Sequence, residues 1–211
     1  MLFGLGSHTI DQTLQLFGTP SRITAFIRCL RGVDSEVEDS FTVILGYDGR
    51  NGNPRAHKDL LCLVQTTMVT PMQAPLKCMI RGMMGSYVKY GTDPQEANAQ
   101  AGMVVSDPKW GVEDESLWGT LTTFERPFDA EYQTEKPANE VVPPVGPKGE
   151  KKFIGKFPSK RGNYMGFYED LVLAMNGVKK VEVDPQQSRD GIRVIELARI
   201  SAVEGRTVEW S

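Results

Sequence analysis

"SHTIDQTLQLFGTPSRITAFIRC" occupies residues 7–29 and changes its period half-way. In the first half Ile10, Leu14 and Phe17 recur at helical spacing, with Ser7 as N-cap and Gly18-Thr19-Pro20 as stop. In the second half Ile23, Ala25, Ile27 and Cys29 alternate with Arg22, Thr24 and Arg28. That alternation is the pattern of a strand with one buried face. Further strands follow at 40–48, 59–69, 76–82 and 85–91, joined by turn chemistry such as "DGRNGNP" at 48–54. No helix-length segment separates them, so they are expected to pair mainly antiparallel in one sheet, giving an α+β fold.

Beyond residue 91 helices return. "TDPQEANAQAG" (92–102) opens with Asp93, Pro94 and Glu96, an N-cap, a first-turn proline and a capping acid. A strand is predicted at 116–125 and an irregular, proline-rich surface loop at 126–161, with one short strand at 152–157. Helices at 163–177 and 184–204 follow, the second opened by Asp184-Pro185, and an edge strand at 207–210 ends the chain. With no internal repeat and no separable linker, residues 1–211 read as a single domain.

The composition is that of an ordinary globular protein, 40% apolar and 24% charged, and 211 residues suffice to bury a substantial core. A net charge of −3 argues against nucleic acid as a partner. The cysteines, Cys29, Cys62 and Cys78, stand singly in apolar stretches and read as reduced core residues, which favours a cytoplasmic setting. With only His8 and His57 besides, no zinc site is expected. No apolar run approaches the ~20 residues that span a bilayer, so no membrane is expected as a partner.

Upstream of the first helix stand Gly4 and Gly6, with Thr9 where a dinucleotide fingerprint has its third glycine. Only three residues precede Gly4, so no strand feeds the turn such a fingerprint needs. His8 has more to offer. Asp11, Gln12 and Gln15 follow it at three, four and seven, on a polar face opposite the Ile10–Leu14–Phe17 stripe. The positive end of the helix dipole favours neutral imidazole there, a form suited to exchanging a proton with a hydroxyl, with Asp11 as local support. The same spacing also fits a histidine bonded to backbone near a cap.

These residues carry a family resemblance. "GLGSHTIDQTLQLFGTPSRITAFIR" resembles the opening of the C-terminal domain of the Gfo/Idh/MocA oxidoreductases, the glucose–fructose oxidoreductase and inositol dehydrogenase family. "RGMMGSYVKYGTDPQEAN" and "GNYMGFYEDLVLAMNG…VEVDPQQSRDGIRVIELARISAVEGRTVEW" are similar to its middle and end. The resemblance implies a large, mostly antiparallel sheet with helices packed on one face, and a homodimer formed through the open face. It implies hydride transfer between NAD(P) and a sugar, polyol or related small alcohol, with His8 as the catalytic proton-relay residue.

Two departures stand out. Family members carry an N-terminal Rossmann domain with the nucleotide site and the lysine of an E-K-P motif, and this chain opens almost at the family histidine. The chain alone is therefore expected to bind no NAD(P) and to lack activity by itself. Gly4 stands where many relatives have an aspartate. A non-catalytic sugar-sensing or regulatory dimerisation protein is the rival reading. Glu135-Lys136-Pro137 repeats the lysine motif, but after the histidine segment and in a proline-rich loop, where it reads as solvated.

Other candidates have two readings each. Tyr164, Phe167 and Tyr168 cluster at a helix start, where they line a sugar pocket in the family manner or pack on the sheet. Lys89 in "YVKYG" is a ligand contact at a sheet edge or an outward-facing strand lysine. Lys148, Lys151, Lys152, Lys156, Lys160 and Arg161 form a basic cluster, interrupted by Glu150, that contacts phosphate or RNA or is a solvated flexible loop. His57 lies in a polar turn at the surface.

Overall fold

A computed structural model of the chain describes residues 1–124, 139–141 and 152–210. Lys136, Lys148, Lys151 and most of the 126–161 loop lie outside the described residues. Among the described residues four α-helices are present, α1 (Ser7–Phe17), α2 (Gln95–Gln100), α3 (Met165–Met175) and α4 (Pro185–Glu204). The strands are β1 (Arg22–Arg28), β2 (Ser40–Gly46), β3 (Leu61–Thr67), β4 (Leu76–Arg81), β5 (Gly85–Tyr90), β6 (Gly119–Thr123), β7 (Asn139–Val141), β8 (Lys152–Phe157) and β9 (Val208–Glu209). The α+β class stands, and β8 falls where the short strand was expected. β7 was not anticipated, because three residues are too few to show a period.

Every described strand pair is antiparallel. Among the described residues, however, the ladders form two sheets, β3-β2-β1-β9 and β4-β5-β6-β8-β7, where the sequence reading had one. The division follows two compact units, Met1–Pro71 with Val181–Ser211, and Met72–Lys180.

In the first unit the alternation of β1 and β2 turns Ile23, Ala25, Phe41, Val43 and Leu45 inward, against Ile10 and Leu14 of α1 and Val194, Ile195 and Ala198 of α4. Both helices thus cover one face of the sheet. Burying each large apolar side chain contributes roughly 1.5–3 kcal/mol. Ser201 of α4 ties the layers together, its Oγ accepting from Ala25 N at 2.9 Å and donating to Arg206 O at 2.6 Å. α4 starts as predicted, with the Asp184 side chain accepting from Gln186 N and Pro185 in the first turn, and it ends on left-handed Gly205. Not every expectation of burial holds: Cys29 is exposed and Cys62 and Cys78 are half-buried. Burial pushes the Cys62 thiol up to about 11, which keeps it protonated and unreactive.

Asp39, 2% exposed, anchors the loop after β1. Its carboxylate accepts from Leu30 N at 2.7 Å, Arg31 N at 3.0 Å and Arg31 Nε at 3.0 Å. The Leu30 hydrogen bond, helped by Arg31 and opposed by burial, holds this carboxyl below the usual range. A depressed folded-state value contributes stability above the unfolded-state pKa, near ~4, and that contribution vanishes as pH falls through the lower folded value. Acid unfolding followed by circular dichroism is therefore expected to lose part of its pH dependence below about pH 4 in Asp39→Asn.

In the second unit β5 and β6 lie inside the sheet. Asp93 stands one residue before Pro94, the N-cap of α2, and its Oδ1 accepts from Gln95 N at 2.9 Å. Two residues of the basic cluster, Lys156 and Arg161, are bonded to backbone carbonyls. Lys156 Nζ donates to Ser116 O at 3.1 Å and Trp118 O at 2.9 Å, and Arg161 Nε donates to Trp110 O at 2.7 Å. No described helix is long and apolar enough to cross a membrane.

Candidate functional site

The helix that carries His8 begins earlier than its sequence suggests. Leu2–Gly6 form a π turn that runs into α1, so Ser7 is helical rather than a cap, and its Oγ donates back to Gly4 O at 2.6 Å. The reason is burial: Leu2 is fully buried, drawing the chain start onto the core. Gly6 is glycine for the same reason, since a Cβ there would lie 2.9 Å from Leu2 Cδ1 and 3.3 Å from Phe41 Cζ. Gly6 is thus a packing feature, and the glycine pair lies in a helical turn rather than in a phosphate loop. The positive end of the helix also lies about a turn further from His8 than the sequence implied.

His8, Asp11, Gln12 and Gln15 are all exposed, on the face opposite buried Ile10 and Leu14, as the spacing predicts. Gln15 Nε2 donates to Gln187 Oε1 of α4 at 2.8 Å. The far end of α1 is clamped by the "DGRNGNP" loop. Asn51 Nδ2 donates to Phe17 O and Thr19 O, both at 2.8 Å, and Asn53 Nδ2 donates to Leu16 O at 3.2 Å. Tyr47 Oη adds a bond to Gly18 O at 3.2 Å. These amides satisfy carbonyls that a helix C-terminus leaves without partners. An imidazole on a helix fixed this way meets solvent in a defined direction, with Asp11 its neighbour three residues on. His57 is exposed, as expected.

Gly4 leaves room for a side chain, since a Cβ built there meets nothing within 4 Å. Gly4→Asp is therefore expected to fold, and to be more stable by up to about 1 kcal/mol, since it removes a helical glycine and adds a carboxylate near a helix start. Urea unfolding checks this.

Lys89 and Tyr164 belong to the second unit. Lys89 is neither at an edge nor outward-facing: β5 is an inner strand and the residue is 8% exposed. Its Nζ donates to Glu113 Oε2 at 2.6 Å and to Leu117 O at 2.9 Å, and Ser159 Oγ donates to the same Glu113 oxygen at 2.5 Å. Glu113, Ser159 and Leu117 lie 24 to 70 residues from Lys89, and no local pattern announces them. Tyr164 and its neighbours Phe167 and Tyr168 are exposed rather than packed, with Phe167 and Tyr168 in an edge-to-face pair 5.4 Å apart.

Tyr164 is positioned by a residue that sequence reasoning missed. Gln95, 2% exposed, accepts through Oε1 from Tyr164 N at 2.7 Å and Trp110 Nε1 at 3.0 Å, and donates through Nε2 to Asp93 Oδ1 at 3.0 Å. Gly162 passes so close that a Cβ would lie 2.2 Å from Gln95 Nε2. The Asp93-Pro94 start of α2 was the one available signal, and it marked a helix cap rather than a buried hub. Among the described residues no three His, Cys, Asp or Glu side chains converge as a metal site.

Comparison with known proteins agrees with this architecture. Residues 1–210 match the C-terminal alpha/beta domain of an oxidoreductase family, the Gfo/Idh/MocA proteins. The chain belongs to that family. Among Gfo/Idh/MocA relatives, IolW of Bacillus subtilis, described as a scyllo-inositol 2-dehydrogenase (NADP+), is 29% identical over 207 residues, covering 98% of this chain and 48% of that protein. An uncharacterized oxidoreductase of Schizosaccharomyces pombe is 31% identical over 198 residues, covering 92% of this chain and 52% of that protein. Of solved structures, the Bacillus subtilis oxidoreductase yvaA superposes over all of this chain and 51% of its own, with TM-score 0.78 and 28% identity. An oxidoreductase from Bacteroides fragilis does so over 99% and 53%, with TM-score 0.77 and 30% identity. The chain thus spans about half the length of the relatives it matches.

The Gly4–Gly6 segment does not have the setting of a dinucleotide fingerprint. Gly4 and Gly6 sit in a π turn rather than between strand and helix, and no described strands pair in parallel. What α1 presents to solvent on its polar face is the His8 imidazole, with Asp11 three residues on.

Proposed function

We propose that this chain is the substrate-binding and dimerising half of an NAD(P)-dependent oxidoreductase acting on a polyol or sugar, inactive on its own. His8 exchanges the proton of the reacting hydroxyl, and Asp11 assists in holding that hydroxyl or the ring. Within the second unit, exposed Tyr164 presents an aromatic ring of the kind that packs on a sugar carbon skeleton. Lys89 acts within the second unit as an internal strut rather than as a ligand contact. The observation that carries the reading is an exposed imidazole beside a carboxylate on a helix clamped at its far end. The likeness to IolW supports a polyol substrate.

The test is a chimera in which this chain replaces the matching half of IolW. NADP+ reduction with scyllo-inositol or another cyclic polyol is the expected result. No turnover with any polyol or aldose by a folded chimera that still binds NADP+ overturns the reading. The chain alone is expected to give no heat of NADP+ binding in calorimetry.

Dimerisation through the open face of the sheet has its own support. Phe26, Leu61 and Leu63 are exposed on the face of β3-β2-β1 away from the helices, and Leu63 stands directly across from Ile44. A patch of this kind favours association. Leu63→Glu is expected to shift the chain from dimer to monomer in light scattering. The sensor reading draws on Gly4, which leaves His8 without the carboxylate many relatives place one turn earlier. Polyol binding without turnover in the chimera favours it.

A further inference from the structure

We propose that the Asn51–Gly52 step is a site of spontaneous modification that, once modified, releases the clamp on α1. The inference rests on the loop's geometry and is independent of the proposed reaction. Asparagine followed by glycine is the pairing in which the next backbone nitrogen most easily reaches the side-chain carbonyl carbon, because no side chain shields it. Gly52 has φ +75°, and a Cβ built on it would meet nothing within 4 Å. Among the described residues its N–H has no hydrogen-bond acceptor. The chain's other described Asn-Gly step, Asn176–Gly177, differs here, since Gly177 N donates to Ala174 O at 3.0 Å.

The chemistry needs only water. Gly52 N loses its proton to solvent base and attacks Asn51 Cγ. The new C–N bond closes a succinimide, and the Cγ–Nδ2 bond breaks, releasing ammonia with the proton it takes up. One water then opens the ring at either carbonyl, giving aspartate or isoaspartate, with no change of oxidation state.

The consequence follows from what Asn51 does. Its Nδ2 is the donor to Phe17 O and Thr19 O, and its Oδ1 accepts from Asn53 N at 3.1 Å. Modification replaces a double donor by a carboxylate oxygen facing two carbonyls, and puts negative charge at the end of a helix that disfavours it. Two bonds become repulsions. The same three bonds hold Cγ in place while the clamp is closed, so reaction proceeds through its transiently open state, and the release of ammonia makes the change irreversible.

The experiment follows the intact chain in mildly alkaline buffer by peptide mapping, scoring exchange of NH for O at Asn51 with Asn176 as internal reference. Asn53→Ala removes the neighbouring bond to Leu16 O and is expected to speed exchange at Asn51 about fivefold while leaving Asn176 unchanged. Modified chain separated by ion exchange, and Asn51→Asp if it folds, are expected to melt roughly 2–4 °C lower than the parent. The proposal is overturned by an Asn51 that stays intact in the folded chain while the denatured chain converts. An exchange rate insensitive to Asn53→Ala, or modified chain with an unaltered Tm, overturns it equally.

Discussion

Replacing His8 by alanine is expected to slow polyol oxidation by the IolW chimera roughly 100- to 10,000-fold, the range over which a positioned acid–base group acts. The effect should fall on kcat, with KM little changed, because the imidazole handles a proton in the transition state rather than holding the carbon skeleton. His8 is exposed and its removal leaves no cavity, so the variant should retain its Tm and separate chemistry from folding. Asp11→Asn is the companion, with a smaller loss. A His8→Ala chimera of undiminished turnover would remove the imidazole from the mechanism.

The second large effect is on stability. Glu113→Ala is expected to destabilise the chain by about 3–5 kcal/mol, because it strands the Lys89 ammonium in a site where the paired side chains are 10% and 4% exposed. It also removes the acceptor of the Ser159 hydroxyl. Urea unfolding should show the loss as a lower midpoint. The double variant Lys89→Met with Glu113→Leu should recover most of it, since the desolvation of both charges is then relieved together. An exposed surface pair would behave otherwise, with each single variant changing stability by less than about 1 kcal/mol. The comparison therefore tests directly whether Lys89 is a strut.

The two predictions address different ends of the legibility of this protein. The placement of His8 and Asp11 was readable because they lie on the helical face opposite a stripe of known period, and that face survived even though the helix began at Leu2 rather than at a Ser7 cap. Lys89 was misread because "YVKYG" looks like any half-exposed strand. Its partners, Glu113, Leu117 and Ser159, come from two distant loops. Gln95 shows the same limit: its neighbour Asp93 announces a helix start, while Trp110 and Tyr164, which make it a hub, lie 15 and 69 residues away.

What the amino-acid order determined by itself was the position and type of nearly every element. α1, α4, β1 and β8 stand within a residue or two of their periodicity, because hydrophobic spacing, caps, prolines and glycines act over one or two turns of chain. The family affiliation was legible on the same local segments. Only the tertiary structure decided that the strands divide into two ladders, that Gly6 is packed against Phe41, that Lys89 turns inward, and that Asn51 closes the end of the helix bearing His8. Each of these depends on groups brought together across tens of residues. Whether a polar side chain ends up solvated or buried is settled by the partners the fold delivers to it, not by its neighbours in the chain.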